Sequence, residues 1–306
     1  MKKGIIVTIK FIVAIVVFYL LLTFNVFHIG DLLLPSSKDY VEIITPQKAQ
    51  ENESNSREQT ILSTGQTGHF AANDAMNLEN LCNRIEICDK IVFKWEFDDN
   101  EKYTYTKTIN KIVQFIEDNS SEDKDIKEVI NTIEVSKENG ERRGYATRDS
   151  IIFNVWLVKS KKEFGELSTH EMGHITDLWY IQWSSSRKDK NFTEFGKIVF
   201  AINDPSLVFY KLSRDKENIR KAEAKKKDFC SGYGMSDPFE DFAECFNLYI
   251  NHNSLFKQIA KTNNILKRKY NIIAETFDGQ YLSLNNQDLN LVKTNISRRP
   301  RDTTKL

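Results

Sequence analysis

The chain has 306 residues, 28% of them charged, and its 43 basic side chains balance its 43 acidic ones. This length and composition are typical of a soluble globular body of one or two domains. A formal net charge of +0 gives no indication of attraction to an anionic surface, so no nucleic-acid partner is expected.

The N-terminal region differs in composition from the rest of the chain. Lys2, Lys3 and Lys10 precede an uncharged apolar run over residues 11–27, which is at the short end of what crosses a hydrocarbon core of about 30 Å. No A-x-A-like cleavage site follows, which favours an uncleaved anchor over a cleaved signal peptide. We predict an N-terminal transmembrane helix within residues 1–34, with the remainder extracytoplasmic, or secreted if this segment is cleaved.

Residues 35–75 are polar and contain few large apolar side chains, so they are predicted to be a flexible tether. Apolar residues return after this point, and residues 76–277 are predicted to form the folded domain. In its first half, apolar periodicity predicts one helix, over 108–118, and three strands, over 90–97, 128–136 and 150–158, with a turn at 137–146.

Helix start signals organise the second half of this domain. An S-x-x-E capping box opens a helix predicted over about 160–183. Asp237 as N-cap, followed directly by proline, opens a second helix that runs to about Asn251. A last helix is predicted over 262–277, and residues 278–306 are predicted to be a polar C-terminal tail. Strands and helices together predict the α+β fold class.

The sequence ELSTHEMGHITDLWY occupies residues 166–180, within the first of these helices. His170 and His174 are four residues apart and share a helix face, a spacing suited to binding one tetrahedral zinc ion. Glu171 is turned by about 100° from His170, which places its carboxylate where it can accept a proton from a metal-bound water. The alternative is a solvated helix face that carries two histidines and no metal.

Catalytic zinc takes three protein ligands and leaves a fourth position open. The candidates for the third ligand are His252 and an acid on another helix. Glu240 and Glu244 are favoured, because like charges four residues apart in an otherwise apolar helix cost free energy that a cation would remove. Glu240 would bind the metal, and Glu244 would accept the remaining ring N–H of a ligand histidine. The alternative is a pair of acids on a solvated face.

The motif HEMGH followed by YGMSDPFEDFAECF resembles the catalytic domain of the anthrax lethal factor family, which includes the proline–proline endopeptidases. Those proteins are zinc peptidases of the gluzincin type, with a zincin-like metallopeptidase domain that contains a small sheet and an HExxH active-site helix. The family pattern has a tyrosine seven residues before the ligand glutamate, followed by E-x-F-A-E. Both features occur in this sequence, at Tyr233 and over residues 240–244.

The resemblance makes Glu171 the general base and assigns one Zn²⁺ ion to three ligands, His170, His174 and Glu240. The separation between His174 and Glu240 is wider than expected for the family. The extra residues include the lysine-rich stretch 211–228, and an inserted helix there would explain the wider separation. Because of this departure the residues of the substrate groove are not identified, and no proline specificity is assigned.

Residues around the ligands also receive roles. Tyr233, flanked by glycines that let its backbone turn freely, becomes a hydroxyl donor to the transition-state oxyanion. Glu244 would orient a ligand histidine, and Asp177 is assigned to support of the active-site helix rather than to catalysis. The four cysteines allow three pairings. Proximity and export lead to the hypothesis that a disulfide between Cys230 and Cys245 fastens the Tyr233 loop to the ligand helix.

These features predict a membrane-tethered zinc endopeptidase, a hydrolase that cleaves peptide or protein substrates with metal-activated water. Two other functions stay open. One is a non-catalytic surface module that keeps a metal for stability or binds a partner through residues 211–228. The other is a secreted toxin-like protease, whose N-terminal segment is cleaved.

Overall fold

The structure, a computed structural model, describes residues 77–120, 124–181, 185–194, 196, 198–282 and 300–306. All of them belong to a single unit of the chain, Thr67–Leu306. The predicted membrane anchor (1–34) and the predicted tether (35–75) lie outside the described residues. Within the part of the chain that is described, no helix has the length and apolar character needed to span a membrane.

A four-stranded sheet forms in the first half of the domain. Its strands are β1 (Ile91–Lys94), β2 (Thr132–Ser136), β3 (Gly144–Ala146) and β4 (Ser150–Asn154). They lie in the order β1-β2-β4-β3, so β3 is an edge strand. β1, β2 and β4 are parallel, whereas β3 pairs antiparallel with β4. Alternate residues of the central strands, such as Ile133 paired with Ile151, are fully buried, as the period of two along a strand requires.

The remaining elements are mostly helical. The α-helices of the described residues are α1 (Leu78–Cys82), α2 (Asp99–Asn119), α3 (Ile126–Val129), α4 (Lys161–Ile175), α5 (Pro205–Tyr210), α6 (Pro238–Asn251), α7 (Asn253–Ala260) and α8 (Asn264–Thr276). A hairpin is formed by β5 (Arg214–Lys216) and β6 (Ile219–Arg220). A π-helical turn over Thr176–Tyr180 follows α4, and short 3₁₀ turns include Tyr233–Met235 and Thr303–Lys305.

Helices α4 and α6 approach each other closely at a glycine. A Cβ atom on Gly173 of α4 would lie 3.1 Å from the Cα atom of Ala243 on α6, and 3.1 Å from Phe246 Cδ1. Contacts this short leave no room for a side chain, so Gly173 permits the two helix backbones to approach. Both helices are buried over most of their length. As a result, His170 and His174 of α4 face Glu240 in the first turn of α6.

The predicted α+β class is confirmed by this mixture of helices and small sheets. The three predicted strands occur in shorter form as β1, β2 and β4. The helix predicted over 108–118 occurs as the longer α2, which begins earlier because Asp98 and Glu101 form a capping box. The helix predicted to begin at Asp237 ends at Asn251 as expected.

One expectation about a connecting segment is wrong, and a second is confirmed only in part. Residues 211–228 contain the β5–β6 hairpin instead of an inserted helix. Arg214 of β5 is buried and donates hydrogen bonds to the backbone carbonyls of Glu217 and Met235, which hold the hairpin against the domain. The turn predicted over 137–146 ends earlier, because residues 144–146 form strand β3. This strand was not predicted, since its three residues show no alternation of apolar and polar side chains.

Candidate metal centre

Helix α4 and the first turn of α6 bring together three candidate metal ligands. Glu240 Oε2 lies 3.1 Å from His170 Nε2 and 3.6 Å from His174 Nε2. One ligand atom from each of the three residues lies within 4.8 Å of the other two. The start of α6 is fixed by Asp237, whose side chain accepts hydrogen bonds from the backbone N–H groups of Phe239 and Glu240. The cap therefore sets the position of the Glu240 carboxylate opposite the imidazoles.

The polar atoms of this cluster fit a cation. Glu240 Oε2 is buried and, among the described residues, has no aligned hydrogen-bond partner, although it approaches both imidazoles. A buried carboxylate oxygen in this state is costly unless a positive charge compensates it. Two imidazole nitrogens and one carboxylate oxygen are also the ligand types of many catalytic zinc sites. The residues present are therefore suited to hold one divalent metal ion.

The acidic neighbours control the protonation of the two imidazoles. Burial acts to lower the pKa of His170, but its contacts with Glu240 and Glu244 outweigh burial and raise that pKa well above its ordinary value. Burial likewise acts to lower the pKa of His174, and Glu240 reverses the effect and raises it. Burial acts to raise the pKa of Glu240, whereas the two histidines lower it far more. Protons therefore compete with a metal ion for the imidazoles.

Glu171 is buried between α4 and the edge strand β3. Its carboxylate lies near the Ala146 backbone of β3, which acts to lower its pKa. A Cβ atom on Gly144 would lie 3.0 Å from Glu171 Oε1, so the glycine leaves the space that this carboxylate fills. Burial raises the pKa of Glu171 above its ordinary value, and the neighbouring histidines offset this only in part. A carboxylate with a raised pKa is a better proton acceptor near neutral pH.

Tyr233 lies beside the ligand cluster and is 46% exposed. Its hydroxyl donates a hydrogen bond of 2.9 Å to Glu240 Oε1, and its ring centroid lies 6.2 Å from that of His170. Burial, and then the charge of Glu240, raise the pKa of Tyr233, so the phenol keeps its proton. A protonated phenol next to the candidate ligands is able to donate a hydrogen bond to a bound molecule.

The hypothesised disulfide between Cys230 and Cys245 is confirmed, and a second one joins Cys82 to Cys88. The first links the loop that carries Tyr233 to α6. The same loop is held by a hydrogen bond from the backbone N–H of Gly234 to Ser231 Oγ. Together these bonds restrict where the Tyr233 side chain can lie.

Glu244 lies one turn after Glu240 on α6 and is fully buried. Its Oε1 atom is 3.2 Å from His170 Nδ1, and both atoms are buried with no other hydrogen-bond partner among the described residues. Its Oε2 atom accepts a hydrogen bond of 2.8 Å from the backbone N–H of Thr303. Glu244 thus contacts the histidine nitrogen that faces away from Glu240, as its predicted orienting role requires.

Asp177 and His252 lie outside the ligand cluster. The carboxylate of Asp177 accepts a hydrogen bond from the Tyr210 hydroxyl, and its backbone carbonyl accepts one from Ser206, so it links the π-helical turn after α4 to α5. Burial raises the pKa of Asp177 to about 8. His252 Nε2 lies 3.0 Å from Glu166 Oε1. His252, the other candidate for the third ligand, is therefore engaged elsewhere.

The ligand cluster opens into a cavity of about 930 Å³. Two of its walls were not identified from the sequence. One is the edge strand β3, and the other is the short segment 300–306, which belongs to the predicted polar tail. Neither stretch has an apolar pattern, so only the spatial arrangement reveals that they border the cluster.

Comparison of the chain with protein-family models, with curated proteins and with solved structures gives no match in any of the three. The functional assignment therefore depends on the residues and the geometry of this site.

Proposed function

We propose that this chain is a zinc-dependent endopeptidase with a zincin-like catalytic domain. The observation that carries the proposal is the convergence of His170, His174 and Glu240 within 4.8 Å, with the Glu171 carboxylate and the Tyr233 hydroxyl beside them. The resemblance of the HEMGH and YGMSDPFEDFAECF segments to the anthrax lethal factor family supports the same chemistry.

The proposed location is the extracytoplasmic side of a membrane, with residues 1–34 as the anchor. The uncharged run that follows three lysines supports the anchor and its orientation. The disulfides Cys82–Cys88 and Cys230–Cys245 support export, because such bonds form and persist in oxidising compartments.

Each residue of the site has a separate task in the proposed reaction. A zinc ion bound by the three ligands would polarise the substrate carbonyl and make water more acidic. Glu171 accepts a proton from the attacking water as its oxygen bonds to the carbonyl carbon, and then passes this proton to the amide nitrogen as the C–N bond breaks. The Tyr233 hydroxyl leaves Glu240 and donates a hydrogen bond to the carbonyl oxygen as negative charge develops there. Glu244 holds the His170 ring so that Nε2 faces the metal.

The edge strand β3 offers a binding mode for the substrate. Gly144, Tyr145 and Ala146 line the cavity, and among the described residues β3 pairs with β4 on one side and with no strand on the other. An extended peptide added along the other side would gain backbone hydrogen bonds without regard to its side chains. Such a peptide would run past Glu171, which contacts the same strand. The proposed substrates are therefore extended, flexible segments of peptides or proteins.

The experiment that tests this function compares the wild-type chain with Glu171→Gln on a peptide library. The wild-type chain should cleave peptides, lose this activity with a chelator and regain it with zinc. Glu171→Gln should bind one zinc per chain but cleave no peptides, because the amide cannot accept the proton. If the wild-type chain bound zinc and cleaved nothing, the domain would be a non-catalytic metal-binding module. If Glu171→Gln kept full activity, the proposed general base would be wrong.

A further inference from the structure

The segment 300–306, with the sequence PRDTTKL, is packed beside the candidate metal centre. Thr303 and Thr304 are buried, and Thr303–Lys305 forms a short 3₁₀ turn with Asp302 as its cap. The segment lines the same cavity as the candidate ligands. It is distant in sequence from all of them, so its position depends on specific tertiary contacts.

The first of these contacts is to the carboxylate that orients His170. The backbone N–H of Thr303 donates a hydrogen bond of 2.8 Å to Glu244 Oε2, while Glu244 Oε1 lies 3.2 Å from His170 Nδ1. A carboxylate with one oxygen held in this way has its other oxygen aimed at the histidine. The hydroxyl of Thr303 accepts a hydrogen bond of 3.0 Å from Asn247, one turn further along α6.

The second contact is to the loop that carries Tyr233. The backbone N–H groups of Gly232 and Tyr233 donate hydrogen bonds of 2.8 Å each to the carbonyls of Pro300 and Arg301. Gly232 lies against the segment, since a Cβ atom there would be 3.5 Å from the Arg301 backbone. The segment therefore fixes the backbone of the proposed oxyanion donor.

The third contact reaches the opposite wall of the cavity. Arg143, which directly precedes β3, forms ion pairs with Asp302 of the segment and with Glu163 in the first turn of α4. These side chains are only 12–20% exposed, so solvent screens the pairs less than on an open surface. The segment thus bonds to α6, to the Tyr233 loop and, through Arg143, to the start of both β3 and α4.

We propose that the segment 300–306 is a positioning element of the metal centre. Its Thr303 amide orients Glu244 against His170, and its Pro300 and Arg301 carbonyls hold the Tyr233 loop. This inference rests on the proposed function, because it assigns a task toward the zinc ion that His170 is proposed to bind. A group that hydrogen-bonds to a metal-binding histidine contributes to metal affinity because it fixes the orientation of the ring. Loss of such a group lowers metal affinity by about 10- to 100-fold. Since Thr303 acts one step further out, we expect an effect at the lower end of this range.

The test removes the Thr303 N–H at a position whose place in the turn suits proline. Thr303 is the first residue of its turn, a position where proline is tolerated, and Asp302 has φ −155° and ψ 122°, an extended conformation that suits the residue before a proline. Thr303→Pro therefore loses both the N–H and the hydroxyl. Thr303→Val loses the hydroxyl alone and is the matched control. Zinc affinity of the full chain is measured for each by competition with a chromophoric chelator.

We expect Thr303→Pro to bind zinc about 10-fold more weakly than Thr303→Val. Equal affinities of the two variants, whether both near the wild-type value or both weakened, would overturn the role of the amide. A wild-type chain that bound no zinc at all would overturn the metal centre itself, so the two failures are distinguishable.

Hydrogen exchange of the wild-type chain provides a second measurement that needs no substitution. Coupling between two contacts is reciprocal, so a segment that strengthens zinc binding about 10-fold is itself stabilised about 10-fold by zinc. Zinc should therefore slow exchange of the Thr303 and Tyr233 backbone amides by about this factor. Unchanged exchange at both amides would overturn the proposal.

Discussion

Replacing Gly173 by alanine should damage the contact on which the whole site depends. The new Cβ atom would lie 3.1 Å from the Cα atom of Ala243 and from Phe246 Cδ1. Ordinary contacts of this kind are about 3.5–4.0 Å, so α4 and α6 must separate by several tenths of an ångström. Overpacking of this kind costs about 1–3 kcal/mol. Alanine also stabilises a helix by up to about 1 kcal/mol relative to glycine, and this gain offsets part of the overpacking cost.

The matched control is Gly165→Ala on the same helix. A Cβ atom on Gly165 would meet only the Thr108 methyl group, at 3.7 Å, which is an ordinary contact. Gly165→Ala should therefore raise the free energy of unfolding by up to about 1 kcal/mol, through helix propensity alone. Gly173→Ala should lie about 1–3 kcal/mol below this control in urea unfolding of the metal-free protein. If the two variants were equally stable, the close approach of α4 and α6 at Gly173 would be refuted.

Three further predictions concern the site and its supports. Tyr233→Phe should lower kcat by about 10²- to 10³-fold with little change in KM, measured by steady-state kinetics on a cleaved peptide; a change in KM alone would contradict a role in the transition state. Replacing Cys230 and Cys245 by serine opens a loop with a sequence separation of 15. It should lower the free energy of unfolding by about 3 kcal/mol, measured by urea titration. Unchanged stability would show that the loop is held without this bond. The pKa values of His170 and His174 are raised in the metal-free protein, so protons occupy the imidazoles until the pH rises through these values. Because protons compete with zinc for the same nitrogens, zinc affinity should fall as the pH decreases. The decline should begin above the ordinary histidine pKa of about 6.5, and chelator competition that showed no dependence on pH would refute the assigned ligands.

The predictable parts of this protein are those with local signals. The HEMGH spacing identifies a helix face, and Asp237 with its following proline marks the start of α6, so the candidate ligands were found without any knowledge of the fold. The strands β2 and β4 were found because their sequences contain apolar residues at alternate positions, such as Ile133 and Val135 or Ile151 and Phe153, which the structure buries. In each case the signal is local, either a spacing of two to four residues or a helix start, and the sequence displays it directly.

The parts that were missed depend on contacts between distant residues. Thr303 lies 59 positions from Glu244, and nothing in the sequence PRDTTKL indicates that its amide binds that carboxylate. The β5–β6 hairpin depends on the buried Arg214, although its lysine-rich sequence resembles an exposed helix. The second glycine-dependent contact, between Gly144 and Glu171, likewise exists only once β3 has paired with β4.

Anomalous X-ray scattering at the zinc absorption edge would test the central claim most directly. The measurement uses crystals of the zinc-loaded protein and locates the ion without assuming its ligands. We predict one peak at about 2.0–2.2 Å from His170 Nε2, His174 Nε2 and a carboxylate oxygen of Glu240. No peak, or a peak elsewhere, for example between His252 and Glu166, would contradict the proposed metal centre and the reaction derived from it.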